Sequence, residues 1–238
     1  MGKQPEYACG ERVKALLAAM LALVPLTAQP VQVLSRGAST LREVALTFDA
    51  GADRGNAAHI LSTLERNHIK ASFGMTGAWA SANSDLVRRM VRDGDLLMNH
   101  TYDHRSFTGY STHASALTNS QRTWEIEQAD RVIRSISGRH ARPYFRPPFG
   151  DYDAATLDLL KRLGYGYMVM WTLDSLGWEH LSATSIERRC LRGISPGAIV
   201  LMHVGSQSQD SAALQTVVTA LKGRHYAFVT VSAFVSKR

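Results

Sequence analysis

From residue 43 onward the sequence alternates between short apolar runs rich in β-branched residues and longer stretches with helical periodicity. Short apolar runs bounded by turn residues predict buried strands, whereas a 3.6-residue period predicts amphipathic helices. The predicted strands cover residues 44–49, 71–76, 95–99, 144–146, 167–173, 198–203 and 227–231. The predicted helices cover residues 56–67, 84–93, 120–137, 154–163, 185–192 and 211–222. Strands that alternate with helices indicate an α/β fold with a parallel sheet wrapped by helices.

Seven predicted strands favour a closed or nearly closed barrel over an open dinucleotide-binding sheet, and no G-x-G-x-x-G follows the first strand. No linker or internal repeat divides the chain after residue 41, so we predict a single domain over residues 41–238. In barrels of this kind, functional groups gather at the C-terminal ends of the strands. Five predicted strands end in, or run into, such groups: Asp49 with Asp53, His100 with His104, Arg146, Asp174 and His203.

Composition and the absence of one motif argue against several other classes of protein. The formal net charge is +7, but the Lys and Arg residues are scattered, which favours a solvated basic surface over a nucleic-acid site. Only two cysteines are present, so no disulfide framework is expected. No G-x-S-x-G motif occurs, which disfavours a serine hydrolase.

The N-terminal 40 residues differ from the rest of the chain. Arg12 and Lys14 precede an apolar stretch over residues 15–28, which is typical of a secretory signal and too short for a membrane span. We therefore predict a signal peptide of about residues 1–28, then a linker, and a secreted or envelope-associated protein without stable membrane insertion. The alternative is a loosely docked N-terminal helix, because Leu26 is large for the position it holds before the cleavage site.

Two histidines and two carboxylates supply the elements of a metal site. His100 and His104 are four residues apart, a spacing at which both rings can face one point if the loop enters a helical turn. Asp49 and Asp53 lie together after the first strand. One carboxylate could then ligate a cation while the other activates a water molecule.

Five ordered segments resemble the motifs of the polysaccharide deacetylase family, the NodB homology domain. They are Thr-Phe-Asp-Ala-Gly at 47–51, His-Thr-Tyr-Asp-His at 100–104, Arg-Pro-Pro-Phe-Gly at 146–150, the 174–178 segment, and Leu-Met-His at 201–203. The resemblance covers roughly residues 43–235. It implies a distorted (β/α)7-type barrel and a metal-dependent hydrolase that removes acetyl groups from N-acetylated sugars of a polysaccharide, peptidoglycan or a chitin-like glycan.

The resemblance also implies a role for each motif residue. Asp49 would be the general base and Arg146 the partner that keeps it ionised, because an adjacent guanidinium lowers a carboxylate pKa. His100 and His104 would bind one divalent cation, most simply Zn²⁺, with Co²⁺ or Mn²⁺ as alternatives. His203 would be the general acid.

Three further residues are expected to contact substrate. The backbone N–H of Phe149 would donate to the developing oxyanion. Trp178 could stack on a sugar ring, and Tyr152 could also contact the glycan.

The sequence departs from the family pattern at two places. Ala50 stands where a second acidic residue commonly ligates the metal, and we expect Asp53 to replace it. The alternatives are that Asp53 caps the helix near residue 56, or that water completes a two-histidine site. Gly177 stands where Asp-x-x-Asp-Trp would place the carboxylate that pairs with the acid histidine, so Asp174 either takes over that role or only caps its loop.

Three functions therefore remain open. The first is the deacetylase, acting on a polysaccharide or oligosaccharide as a monomer. The second is a catalytically weakened glycan-binding module on the same barrel, because Ala50 and Gly177 are both departures from the catalytic pattern. The third is an acetylxylan esterase.

Overall fold

A computed structural model describes residues 1–2 and 29–236 of the chain. The strands are β1 Gln32–Leu34, β2 Glu43–Ala50, β3 Ser72–Met75, β4 Leu96–Asn99, β5 Tyr144–Phe145, β6 Tyr167–Val169, β7 Leu173–Asp174, β8 Ala198–His203 and β9 Ala227–Phe228. The helices are α1 Ala57–Arg66, α2 Gly77–Ala82, α3 Ser84–Asp93, α4 Asn119–Ser137, α5 Ala154–Arg162, α6 Ala183–Gly193, α7 Asp210–Gly223 and α8 Ala233–Ser236. Residues 3–28, which hold nearly all of the predicted signal peptide, lie outside the described residues.

The strands form one parallel sheet in the order β1-β6-β5-β4-β3-β2-β8-β7, with β9 paired to β2. The predicted strand at 167–173 is divided into β6, which pairs with β5, and β7, which pairs with β8. Residues 167–174 therefore contribute one strand near each end of the sheet. The sheet curls back on itself, which confirms the predicted distorted barrel within a single domain.

Strand β1 helps to close the barrel and was not predicted. It pairs with β6, and just beyond it Arg36 forms an antiparallel bridge with Ala198 at the start of β8. Leu34 is buried, but the other two residues of the strand are exposed, so the segment lacks the apolar run that marks a buried strand. It lies within the stretch that we had predicted to be a linker.

The central strand β2 shows how the sequence separates the two faces of the sheet. Phe48 and Ala50 pack in a core between the sheet and the helices, together with side chains of α1, α6 and α7. Ala45 packs inside the barrel against Ile199 and Met98. Because alternate residues of a strand face opposite sides, Asp49 lies on the inner face, at the end of the strand. Among the described residues, no helix combines the length and apolar character that crossing a membrane requires.

All six predicted helices are present, and two begin with the capping boxes that sequence patterns favour. The Thr118 side chain accepts from the N–H of Gln121 at the start of α4, and Asp153 accepts from Thr156 at the start of α5. Helix α2 was missed because it has only six residues and no helical periodicity. It packs against α4, a contact between distant parts of the chain that local sequence does not reveal.

Candidate active site

The side chains at the strand ends converge on one pocket of about 640 Å³. Its lining includes Asp49, His100, His104, Asp174 and His203, with Phe149, Trp171 and Trp178 as the aromatic part of the wall. Five strand ends thus contribute to one cleft, as the barrel prediction required.

Asp49 is held in place by Arg146, which is fully buried. The Arg146 Nη1 donates to Asp49 Oδ1 at 2.8 Å, while its Nη2 donates to Thr47 Oγ1 and its Nε to the Val169 carbonyl. Burial alone would raise the pKa of Asp49, but the charge and hydrogen bond of Arg146, together with His100 and His203, outweigh it, and the pKa lies below its usual value. The carboxylate is therefore ionised at neutral pH, with Oδ2 left free of the guanidinium.

The Nε2 atom of His100 lies next to the free carboxylate oxygen of Asp49. The Nδ1 of His100 lies 2.8 Å from the Arg146 carbonyl oxygen, which can only accept, so Nδ1 carries the proton and Nε2 does not. Nε2 is buried, has no hydrogen-bond partner among the described residues, and lies 3.4 Å from Asp49 Oδ2. Burial lowers the pKa of His100 and keeps the ring neutral. A buried imidazole oriented by a backbone carbonyl, with its second nitrogen unpaired, has the arrangement of a metal ligand.

His104 joins His100, although the loop between them is not helical. The two ring centroids are 4.7 Å apart, and burial lowers the pKa of His104 to about 3. Thr101 and His104 both adopt left-handed backbone angles, with φ of 68° and 67°. Such angles cost on the order of 1–3 kcal/mol each in residues other than glycine and persist where surrounding contacts enforce them.

Two buried residues enforce this loop conformation, and sequence reasoning missed both. The Oδ1 of Asn99 accepts from Thr101 N, and Glu125 Oε2 in α4 accepts from the N–H groups of Tyr102 and Asp103. Burial, together with the neighbouring Asp103 carboxyl, raises the pKa of Glu125 to about 7. The sequence signal for Glu125 was its position on the face of α4 that the helical periodicity assigns to the core.

His203 lies at the end of β8, directly beside Asp49 in the register of the sheet. Its backbone N–H donates to Asp210 Oδ2 at 2.8 Å, and its Nδ1 lies 3.9 Å from the same oxygen. Asp210 is fully buried at the start of α7. The site therefore places the ionised Asp49 and the His203 imidazole on neighbouring strands, with the buried Asp210 carboxylate next to His203.

Comparison with known proteins shows the family to which the chain belongs. The sequence pattern of the polysaccharide deacetylase family matches residues 36–168, which is more than half of the chain. The chain belongs to the polysaccharide deacetylase family. The match contains the Asp49, His100 and Arg146 motifs.

Individual relatives within this family are similar over most of the chain. The peptidoglycan-N-acetylglucosamine deacetylase PgdA of Listeria monocytogenes is 29% identical over 84% of this chain, which spans 40% of that longer protein. The crystal structure of the Bc1960 peptidoglycan N-acetylglucosamine deacetylase is 26% identical, with a TM-score of 0.78 over 86% of this chain and 92% of that one. BA3943 of Bacillus anthracis, described as a family 4 carbohydrate esterase (CE4) pseudoenzyme, is 26% identical, with a TM-score of 0.76 over 85% of this chain and 68% of that one.

The first departure from the family pattern leaves the histidine pair without an obvious third ligand among the residues that the structure describes. Ala50 is buried in the core on the helix side of β2. Asp53 is exposed, and both of its carboxylate oxygens accept hydrogen bonds from Ser206, at 2.9 Å from N and 2.5 Å from Oγ. It does not line the pocket, and it does not cap α1, whose N-cap is Asn56. Asp53 instead joins the loop after β2 to the loop after β8.

The second departure concerns Asp174, which bonds within its own loop. Its Oδ1 accepts from Leu176 N, and its Oδ2 accepts from Trp178 Nε1 at 3.1 Å. Among the described residues Asp174 makes no hydrogen bond to His203. The contacts match the loop-capping alternative and also fix the orientation of Trp178.

The predicted substrate contacts are only partly brought together. Trp178 and Phe149 both line the pocket with about half of each side chain exposed, and the Phe149 ring packs edge-on against His104 at 4.6 Å. Phe149 also has a left-handed φ of 60°. Tyr152 is exposed but is not part of the pocket lining.

Proposed function

We propose that this member of the family is a metal-dependent hydrolase that removes N-acetyl groups from a bacterial glycan of the peptidoglycan type. The single observation that carries the proposal is the buried Asp49–Arg146 pair beside the unpaired Nε2 of His100. Relatives named as peptidoglycan deacetylases support the choice of substrate.

The residues present fit a divalent cation at His100 and His104. Both rings are neutral because burial lowers the pKa of each, and neutral imidazole is a common ligand of Zn²⁺, which is our proposed metal ahead of Co²⁺ or Mn²⁺. No set of three or more His, Cys, Asp or Glu side chains poised for a metal occurs in the described part of the chain. The proposed site therefore uses two histidines, with the remaining positions open to water or substrate.

The chemistry follows from the geometry of the protein groups. A divalent cation at the two histidines would polarise the amide carbonyl and lower the pKa of the attacking water. Asp49, ionised and fixed through Oδ1, would accept the proton of that water on Oδ2. His203 would donate a proton to the departing nitrogen, because an amine cannot leave as an anion. The N–H of Phe149 would stabilise the oxyanion.

The remaining predictions belong to the same proposal. We propose that the protein is exported to the cell envelope, where its net charge of +7 raises its encounter rate with anionic wall polymers. We also propose that it acts as a monomer, which size-exclusion chromatography with light scattering would test.

Acetate release is the decisive assay. The purified protein is incubated with peptidoglycan fragments, chitooligosaccharides and acetylxylan, with and without a chelator, and compared with the His100→Ala/His104→Ala double variant. We expect release from an N-acetylated glycan that both the chelator and the double variant abolish. Bound metal, measured by mass spectrometry, should fall in the double variant.

A glycan-binding module is the second candidate, and the similarity to a family pseudoenzyme favours it. That function predicts glycan binding by calorimetry without acetate release from any substrate at any metal concentration. Release from acetylxylan alone would instead identify an esterase.

A further inference from the structure

A fully buried carboxylate, Asp210, lies against the general-acid histidine. Its Oδ2 accepts the backbone N–H of His203 and the hydroxyl of Ser208 at 2.8 and 2.9 Å. It does not act as the N-cap of α7, which begins after Gln209. Its contacts are therefore directed at the strand that carries His203.

Two polar atoms at this contact are buried without hydrogen-bond partners in the described part of the chain, His203 Nδ1 and Asp210 Oδ1. An unsatisfied buried polar atom costs on the order of 1–3 kcal/mol. Nδ1 is 3.9 Å from Asp210 Oδ2, so a movement of about 1 Å would form the bond at normal length. Catalytic hydrogen bonds are often long in the free enzyme and shorten when substrate binds.

Asp210 occupies the space that a side chain at position 177 would need. A Cβ built on Gly177 would lie 2.4 Å from Asp210 Oδ2 and 2.4 Å from Ser208 Oγ. Gly177 is not among the glycines with left-handed φ, so its backbone would accept another residue. The Asp210 carboxylate and the Ser208 hydroxyl, rather than the chain conformation, exclude a side chain there.

We propose that Asp210 is the positioning residue for His203, supplying from the start of α7 the carboxylate that the family pattern places at position 177. The proposal rests on the proposed function, in which His203 donates a proton. A carboxylate at Nδ1 holds the proton on that nitrogen, directs Nε2 to the pocket and stabilises the imidazolium. Burial alone would lower the pKa of His203, but Asp210, with Asp49 and Asp174, raises it overall.

Asp210→Asn is the informative variant because it keeps the shape and the acceptor for the His203 N–H while removing the charge. We expect kcat to fall about 10–100-fold, the range for partners that orient a functional imidazole, with KM unchanged. The alkaline limb of the pH profile should move to lower pH, because the imidazolium loses its stabilising carboxylate. A structural role alone would shift neither the limb nor the ratio of kcat to KM.

Moving the carboxylate back provides the strongest test. In the double variant Gly177→Asp/Asp210→Ala the carboxylate that blocks position 177 is removed, and the Ser208 hydroxyl, which loses its Asp210 acceptor, is free to turn away. A carboxylate can then enter the same space from the other loop. We expect it to recover at least about tenfold in kcat over Asp210→Ala, whereas Gly177→Asp alone should lose activity. Asp95 is another buried carboxylate, at the opposite end of the barrel. Asp95→Asn is therefore the matched control and should retain wild-type kinetics.

A readout that needs no turnover separates this proposal from the proposed function. The His203 imidazole can be titrated by nitrogen-edited NMR, and its pKa should be lower in Asp210→Asn than in wild type. If wild type releases no acetate from any substrate, the proposed function fails while this titration still tests Asp210. Wild-type kcat together with an unchanged His203 titration in Asp210→Asn would overturn the proposal.

Discussion

Replacing Arg146 by Met should expose how far the fold depends on the Asp49–Arg146 pair. Arg146 is fully buried, and its guanidinium bonds to Asp49, Thr47 and the Val169 carbonyl. Removing one partner of a buried ion pair costs about 3–5 kcal/mol, because the other charge remains in a low dielectric. The two lost hydrogen bonds to neutral acceptors, Thr47 Oγ1 and the Val169 carbonyl, each add at least about 1 kcal/mol. We therefore expect about 5–7 kcal/mol of destabilisation, against a total stability of about 5–15 kcal/mol.

A double-mutant cycle isolates the charge contribution. Adding Asp49→Asn to Arg146→Met removes the stranded carboxylate, and we expect about 2–3 kcal/mol of the loss to be recovered. Urea unfolding followed by circular dichroism gives the four free energies, and Arg146→Lys shows how much of the effect belongs to the forked guanidinium. Strictly additive losses in the double variant would refute the reasoning.

The same pair predicts a pH dependence with a definite sign. In wild type the folded pKa of Asp49 is lowered, so its stabilising contribution is present above about pH 4 and is lost as pH falls through the folded pKa. In Arg146→Met the guanidinium is absent, and burial raises the pKa of Asp49. Lowering the pH then protonates Asp49, which removes the buried charge and part of the destabilisation. The stability gap between the two proteins should narrow from pH 7.5 to pH 4.5. A constant gap would contradict the assigned role of Arg146.

Three further predictions follow from the site and the fold. Asp49→Asn should lower kcat by about 10²–10⁴-fold with little change in bound metal, and full activity would identify another base. If Asp53 serves only to bond Ser206, Asp53→Ala should leave the affinity of the chelator-stripped protein for Zn²⁺ unchanged. A tenfold weaker affinity would instead establish Asp53 as a ligand. Burial raises the pKa of Asp95 to about 6, so the stabilising contribution of the protonated side chain is complete below about pH 4 and is lost as pH rises through 6. Asp95→Asn, which cannot ionise, should therefore raise the melting temperature at pH 7.5 but not at pH 4.

The residues that sequence placed correctly share one property, a position at the end of a strand. Asp49, His100, Arg146 and His203 each follow a run of buried residues, so strand periodicity fixed their location and barrel geometry implied their convergence. Their motif spacing then indicated the chemistry.

The contacts of Asp53 and Asp210 join loops that are distant in sequence, so the sequence does not reveal them. Asp53 is four positions from Asp49, which favoured a shared site, but Ser206 draws it to the opposite loop. Asp210 follows a predicted loop and looks like an ordinary helix-start carboxylate. Its proximity to Gly177 depends on two loops that are far apart in sequence, although the missing carboxylate at 177 was a signal that another must exist.

The short strand β1 has a consequence for handling the protein. Its pairing with β6 covers backbone groups that would otherwise form an open sheet edge, and the Arg36 bridge adds a contact at the start of β8. Open edges recruit strands from other molecules and promote aggregation. A shortened chain that began at residue 41 would lose this cover, so we expect it to precipitate where one that began at residue 29 stays in solution.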